Sequence, residues 1–177
     1  MKFYKSFISL LIFFLICITF IFSAWFLQQN KSLYDQIDKA ILESEPDYKG
    51  LIHILADRDR TIAFYETTKS ELCIVLLKKG ISGYKLGDYI NKISLYADQD
   101  VSWQGSERVE SNIHMLFGVF RNPEITQLIL ISEGDKPAQI INNGEYSIWY
   151  YLTGDVLKKP ITIQATDKEG RVLYKNR

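Results

Sequence analysis

Few residues in this chain are equipped for catalysis. Two histidines, His53 and His114, and two cysteines, Cys17 and Cys73, occur in 177 residues. Paired histidines with a carboxylate such as Asp57 would be a minimal metal set, but no zinc-ligand spacing connects them. Each falls in a run that reads as a strand, where a histidine is ordinarily packed or half-exposed, and no metal is expected. Asp98-x-Asp100 resembles the start of a calcium loop. It lacks the glycine and further ligands of that pattern, and Val101-Ser102-Trp103 interrupts it, so a solvated acidic loop is expected. Cys73 sits between Leu72 and Ile74-Val75-Leu76-Leu77; such surroundings raise a thiol's pKa and make it a small buried hydrophobe. Cys17 lies in a separate apolar stretch, leaving no disulfide within the outer domain. No serine occupies a Gly-x-Ser-x-Gly elbow, and no oxyanion hole is recognisable. The expectation is a noncatalytic chain without a cofactor.

Aromatic residues are the stronger signal, at 14% of the chain. Trp103, Trp149, Tyr150, Tyr151, Tyr84, Tyr89 and Tyr96 would make a sugar- or peptide-binding platform if several shared one exposed face. Trp149 and Tyr151 alternate along one strand and read as core, which leaves Trp103 as the exposed anchor. Trp103 lies in a polar stretch, Tyr89 to Glu110, longer than an ordinary connection and therefore expected to be a functional loop. The candidate interaction edge is Tyr96, Asp98, Asp100 and Trp103.

The elements that must hold this edge begin with residues 7–27, FISLLIFFLICITFIFSAWFL. About 20 uncharged residues span a hydrocarbon core of about 30 Å as a helix. Lys2 and Lys5 precede the stretch, so residues 1–6 are expected in the cytoplasm and everything after the anchor outside. A secretory signal would have a shorter apolar core and a small-x-small site. Phe22-Ser23-Ala24 offers no such site, so the stretch reads as an uncleaved single-pass anchor in the cell membrane. Residues 28–46 read as a juxtamembrane helix, with Leu33, Ile37 and Ile41 on one stripe and Pro46 as its stop. That stripe is too short for a coiled coil and is expected to pack on its own domain.

Residues 47–177 then read as one extracytoplasmic β-rich domain. Runs at 51–55, 61–66, 72–77 and 115–120 read as strands, with a short one at 83–87. Asn143-Gly144 marks a hairpin between 138–141 and 146–152, and Asp167–Gly170 another. Short strands with frequent turns point to a mainly β fold, an antiparallel sandwich-like or partly open barrel domain. Lys+Arg and Asp+Glu number 21 each, with no basic run. The composition thus argues against nucleic acid and against a polybasic grip on anionic lipid.

Three blocks carry a resemblance: TIAFYETTKSELCIVLLKKGISG (61–83), HMLFGVFRNP (114–123), and the end from IWYYL (148–152) to Glu169-Gly170. The outer domain resembles a group of uncharacterised small exported or membrane-anchored proteins of Bacillus-type Gram-positive bacteria. The resemblance implies a Gram-positive cell surface and brings no catalytic or binding residue. Tyr84-Lys85-Leu86-Gly87-Asp88 departs from the tryptophan- and glycine-rich pattern at that place. The expected function is a membrane-anchored interaction module engaging an envelope protein or wall polymer. The alternatives are a small-molecule sensor or carrier with an enclosed pocket, and a cell-envelope hydrolase built on His53 or His114.

Overall fold

A computed structural model describes residues 14–20, 32–57, 60–81, 83–96, 100–108 and 112–176. Residues 14–20 are helical; the rest of the expected anchor lies outside the described residues. Among the described residues, no helix is long and apolar enough to cross a membrane.

Ser32 caps the helix Leu33–Ser44 (α1), its hydroxyl accepting the Asp35 amide at 3.1 Å, which satisfies one donor that a helix start leaves open. Ile37 and Ile41, four residues apart, are fully buried, while Leu33 and Leu42 face solvent. The buried pair sits on a sheet surface made of Leu51, Ala63, Tyr65, Cys73, Val75 and Leu77. Of the expected stripe, Ile37 and Ile41 pack on their own domain and Leu33 does not.

That sheet is an antiparallel meander of β1 (Tyr48–Asp57), β2 (Arg60–Thr67), β3 (Glu71–Gly80) and β4 (Gly83–Ser94). The second sheet has the order β5-β6-β10-β9, from β5 (Val101–Arg108), β6 (Ile113–Phe120), β9 (Gln139–Asn142) and β10 (Ser147–Thr153). A third has the order β12-β11-β7-β8, from β7 (Gln127–Leu130), β8 (Lys136–Pro137), β11 (Ile163–Thr166) and β12 (Val172–Lys175). All recorded pairings are antiparallel.

The three sheets are layered. Every residue of β6 is buried, which identifies its sheet as the middle one. Ile113, Met115, Phe117 and Val119 join Phe64, Ile74, Ile148 and Tyr150 in a core shared with the first sheet. Leu116 and Phe120, on the other face, join Trp149, Leu128, Leu130 and Ile163 in a core shared with the third. A strand covered on both sides reads as a continuous apolar run, and HMLFGVF is such a run. The mainly β, antiparallel, sandwich-like expectation holds, with an extra sheet behind the sandwich.

One expectation is corrected. Residues 89–110 are not one long loop: β4 continues to Ser94, and β5 carries Trp103. The register of β3 on β4 shifts twice between Ile74 and Leu77, and each irregularity breaks the alternation of faces. Leu86 packs on the α1 side of the sheet, whereas Ile90 and Ile93, three residues apart, both join the core shared with the second sheet, a spacing that hides a strand from a period-two reading. The side chain of Ser106 in β5 donates to the Ile90 carbonyl at 3.2 Å, tying the two sheets together where a loop was expected.

Candidate interaction site

Strand register fixes which residues share an end of the first sheet. Tyr48, Thr67, Glu71 and Ser94 lie at one end, and Asp57, Arg60, Gly80 and Gly83 at the other. Of the expected interaction edge, Tyr96 belongs to the first of these ends. Tyr96 is exposed there, and the Arg121 guanidinium carbon lies 4.0 Å from its ring centroid, a cation–π pair. Asp100 is exposed as well. Asp98 lies outside the described residues.

Trp103 is placed differently from an exposed anchor. It is half-buried and packs against the core between the second and third sheets. Both Trp103 and Trp149 pair with Gly118 across neighbouring strands. Trp149 is fully buried and its indole N–H donates to the Ser102 carbonyl at 3.3 Å. A β-carbon on Gly118 would stand 1.8 Å from that same carbonyl oxygen. The absence of a side chain at 118 is what lets the two strands and the Trp149 indole meet.

Beside Tyr96, a polar chain of contacts joins the sheets. The Lys49 ammonium donates to Glu66 at 2.8 Å, the Tyr146 hydroxyl donates to the same carboxylate at 3.1 Å, and Asn143 donates to that hydroxyl at 2.7 Å. Glu66 is buried, so these bonds replace the water it has lost. Burial, with the Glu66 charge next, pushes the Tyr146 hydroxyl up to about 12.

On the outer face of the same sheet lies an open cleft of about 470 Å³, beside the C-terminal end of α1. Tyr65 and Cys73, cross-strand partners, both line it. Around them stand Glu45, Asp47, Glu71, Lys69, Lys92 and Arg108, acidic and basic in equal number. Two of the cations are engaged, Lys69 with Asp47 and Lys92 with Glu71, the latter at 3.1 Å. The Leu95 amide donates to the Ser70 carbonyl at 2.9 Å, joining the cleft rim at Lys69 to the segment that presents Tyr96. Sequence reading missed the cleft, because its lining comes from separate strands and a helix end without any motif.

Burial shifts several of its titratable groups. Burial pushes the Cys73 thiol up, opposed by a hydrogen bond with Tyr65, and a protonated thiol is a poor nucleophile. Burial raises the Tyr65 hydroxyl and the Glu45 carboxyl in the same way. The histidines stand elsewhere. His53 stacks on Phe64 and Tyr150, with centroids 5.7 and 5.9 Å away, and burial lowers its pKa. His114 is buried in β6 and alternates with Ile113 and Met115, facing the other core. Among the described residues, no group of three histidine, cysteine or acidic side chains is placed to hold a metal. No protein-family model, curated protein or solved structure matches the chain.

Proposed function

We propose that this chain is a membrane-anchored, extracytoplasmic interaction module that engages an envelope protein or wall polymer without catalysis. The observation that carries the reading is the single end of the first sheet where an exposed Tyr96–Arg121 pair adjoins a cleft lined by both signs of charge. Tyrosine and arginine are the residue types that most often dominate binding energy at interfaces. Opposed charges on a cleft rim fix the orientation of a polar chain laid across it. The uncharged stretch at 7–27, preceded by Lys2 and Lys5, supports the anchor and its topology. The resemblance to anchored Gram-positive surface proteins points the same way.

Crosslinking in intact membranes tests the proposal. The parent chain should capture one or a few envelope components, and Tyr96→Ala with Arg121→Ala should reduce that capture severalfold. Lys92→Glu, at the cleft rim, should do the same without altering the amount of folded protein. Identical partners at identical yield in all three chains would refute this surface.

The cleft volume favours a second reading. About 470 Å³ falls in the range of small-ligand sites, which suits a sensor or carrier, although the cleft is open and lies outside the sandwich. A ligand there would raise the melting temperature of the parent chain and leave that of Lys92→Glu unchanged. Cell-extract fractions that shift neither chain would remove this reading.

A further inference from the structure

The far end of the first sheet carries a second surface. The β3–β4 hairpin closes there through Gly80 and Gly83, the latter at φ +105°, a conformation that favours glycine. Ile81 at the tip is 97% exposed. An isoleucine so placed gains nothing from the fold and carries apolar surface into water.

Its surroundings are basic. Strand pairing sets Lys78 directly opposite Lys85, with Lys79 opposite Tyr84 beside them. Like charges facing each other across a ladder are destabilising. Asp88 offsets part of this at 3.7 Å from Lys78. Lys79 and Lys85 are exposed and form no ion pair among the described residues. In the linear sequence the basic run is only two residues long, which is why composition argued against a lipid grip; the hairpin gathers three lysines around one bare aliphatic tip.

The path of α1 adds direction. Its C-terminal end meets the start of β1, where the Tyr48 amide reaches the Glu45 carbonyl at 3.1 Å. Moving back along the helix, Asp38 bonds the Tyr48 hydroxyl and the Tyr34 hydroxyl bonds the Leu51 carbonyl. Partners thus advance along β1 as the helix is followed toward its N-terminus. Tyr84 and Leu86, just past the hairpin tip, pack against the cluster that holds Ile37 and Ile41. The N-terminal end of α1 therefore points toward the end of the sheet that carries Ile81.

We infer that the β3–β4 hairpin tip is a membrane-contacting finger for an anionic phospholipid surface. Ile81 enters the headgroup boundary, and Lys78, Lys79 and Lys85 lie over lipid phosphates. This inference rests on the anchored reading above, because the lipid surface is that of the bilayer holding residues 7–27. It assigns the orientation of the domain: hairpin tip down, with Tyr96 and the cleft rim away from the bilayer.

The test uses the full chain, reconstituted in vesicles of phosphatidylcholine with about a quarter phosphatidylglycerol, carrying photoreactive benzoylphenylalanine in place of Ile81 or of Glu145. Lipid adducts should form at position 81 and not above background at 145, a turn at the opposite end. Lys78→Gln, Lys79→Gln and Lys85→Gln combined should lower the yield at 81 by at least about tenfold, as should vesicles of phosphatidylcholine alone. Equal adducts at 81 and 145, adducts indifferent to the lysines, or crosslinks at 81 in cells that go to protein instead of lipid would each overturn the inference. An alkaline wash separates the two readings. A chain that stays with the vesicles but gives no lipid adduct removes the finger alone, whereas a chain released by the wash removes the anchor beneath it.

Discussion

Gly118→Ala is the smallest change with a large consequence. The added methyl would stand 1.8 Å from the Ser102 carbonyl oxygen and 2.7 Å from the Trp149 indole nitrogen. A carbon needs about 3.3 Å from a carbonyl oxygen, so β5 and β6 must part by about 1.5 Å. Neither contact is the free end of a flexible chain: one is backbone and the other a fully buried ring. Parting the strands breaks the indole–carbonyl bond and at least one ladder bond, each worth about 1 kcal/mol. Overpacking of the core adds about 1–3 kcal/mol. The total of about 4 kcal/mol lowers the melting temperature by about 10 °C for a domain this size. Tryptophan fluorescence on the full chain in detergent micelles measures it. Gly154→Ala is the control, because nothing lies within 4 Å of that β-carbon, and its melting temperature should match the parent. A Gly118→Ala chain melting within about 2 °C of the parent would refute the account of the Trp103–Gly118–Trp149 row.

The remaining predictions concern other parts of the fold. Ile41→Ala, at a fully buried position under α1, should cost about 3 kcal/mol in chemical denaturation, while Leu42→Ala, at 60% exposure, should change stability by less than about 0.5 kcal/mol. Tyr146 ionises near pH 10 when unfolded and near about 12 when folded. Its contribution is therefore whole below pH 10 and is lost as pH climbs through that interval. Denaturation midpoints from about pH 8 to about pH 12 should fall less steeply for Tyr146→Phe than for the parent, and equal slopes would contradict the assignment. Cys73, only 4% exposed and with its pKa raised by burial, should react with a thiol reagent only after denaturant is added; rapid labelling of the native chain would contradict its placement.

Some of this fold was legible in the sequence. Asn143-Gly144 marked the β9–β10 hairpin, and Gly144 adopts φ +80° there. The apolar runs at 72–77 and 115–120 announced strands, but not that the second would be the one at the centre of the layers. The stripe of Ile37 and Ile41 announced a helix that packs on its own domain. The bulged pairing of β4 was not legible, because a shifted register puts residues three apart, Ile90 and Ile93, on one face. Trp103 misled for a related reason. Its polar neighbours Ser102, Gln104 and Ser106 suggested a loop, yet Ser102 and Ser106 are buried and bonded to backbone. A serine that satisfies a neighbouring carbonyl is compatible with a strand interior, and single-residue polarity does not reveal it. The cleft was invisible for a different reason: Glu45, Cys73 and Lys92 meet only through tertiary pairing.

Layering limits where this protein can meet anything else. The middle sheet is covered on both faces, and α1 occupies much of the outer face of the first. On the first two sheets, exposed surface is thereby concentrated at strand ends and turns, where backbone and side chains still reach solvent. The first sheet has two such ends, and they differ in kind. One presents Tyr96 stacked under Arg121 beside a cleft of balanced charge; the other presents a bare Ile81 among lysines. β4 runs from one to the other, about 35 Å at about 3.3 Å per residue. A domain whose two ends are this far apart and chemically distinct can rest on a bilayer through one and hold a partner through the other, neither contact obstructing its counterpart. Loss of the lysines should therefore weaken lipid contact while leaving partner capture through Tyr96 intact. A chain in which both fall together would instead mean that the two ends form one surface, and that the register placing them apart does not describe the working molecule.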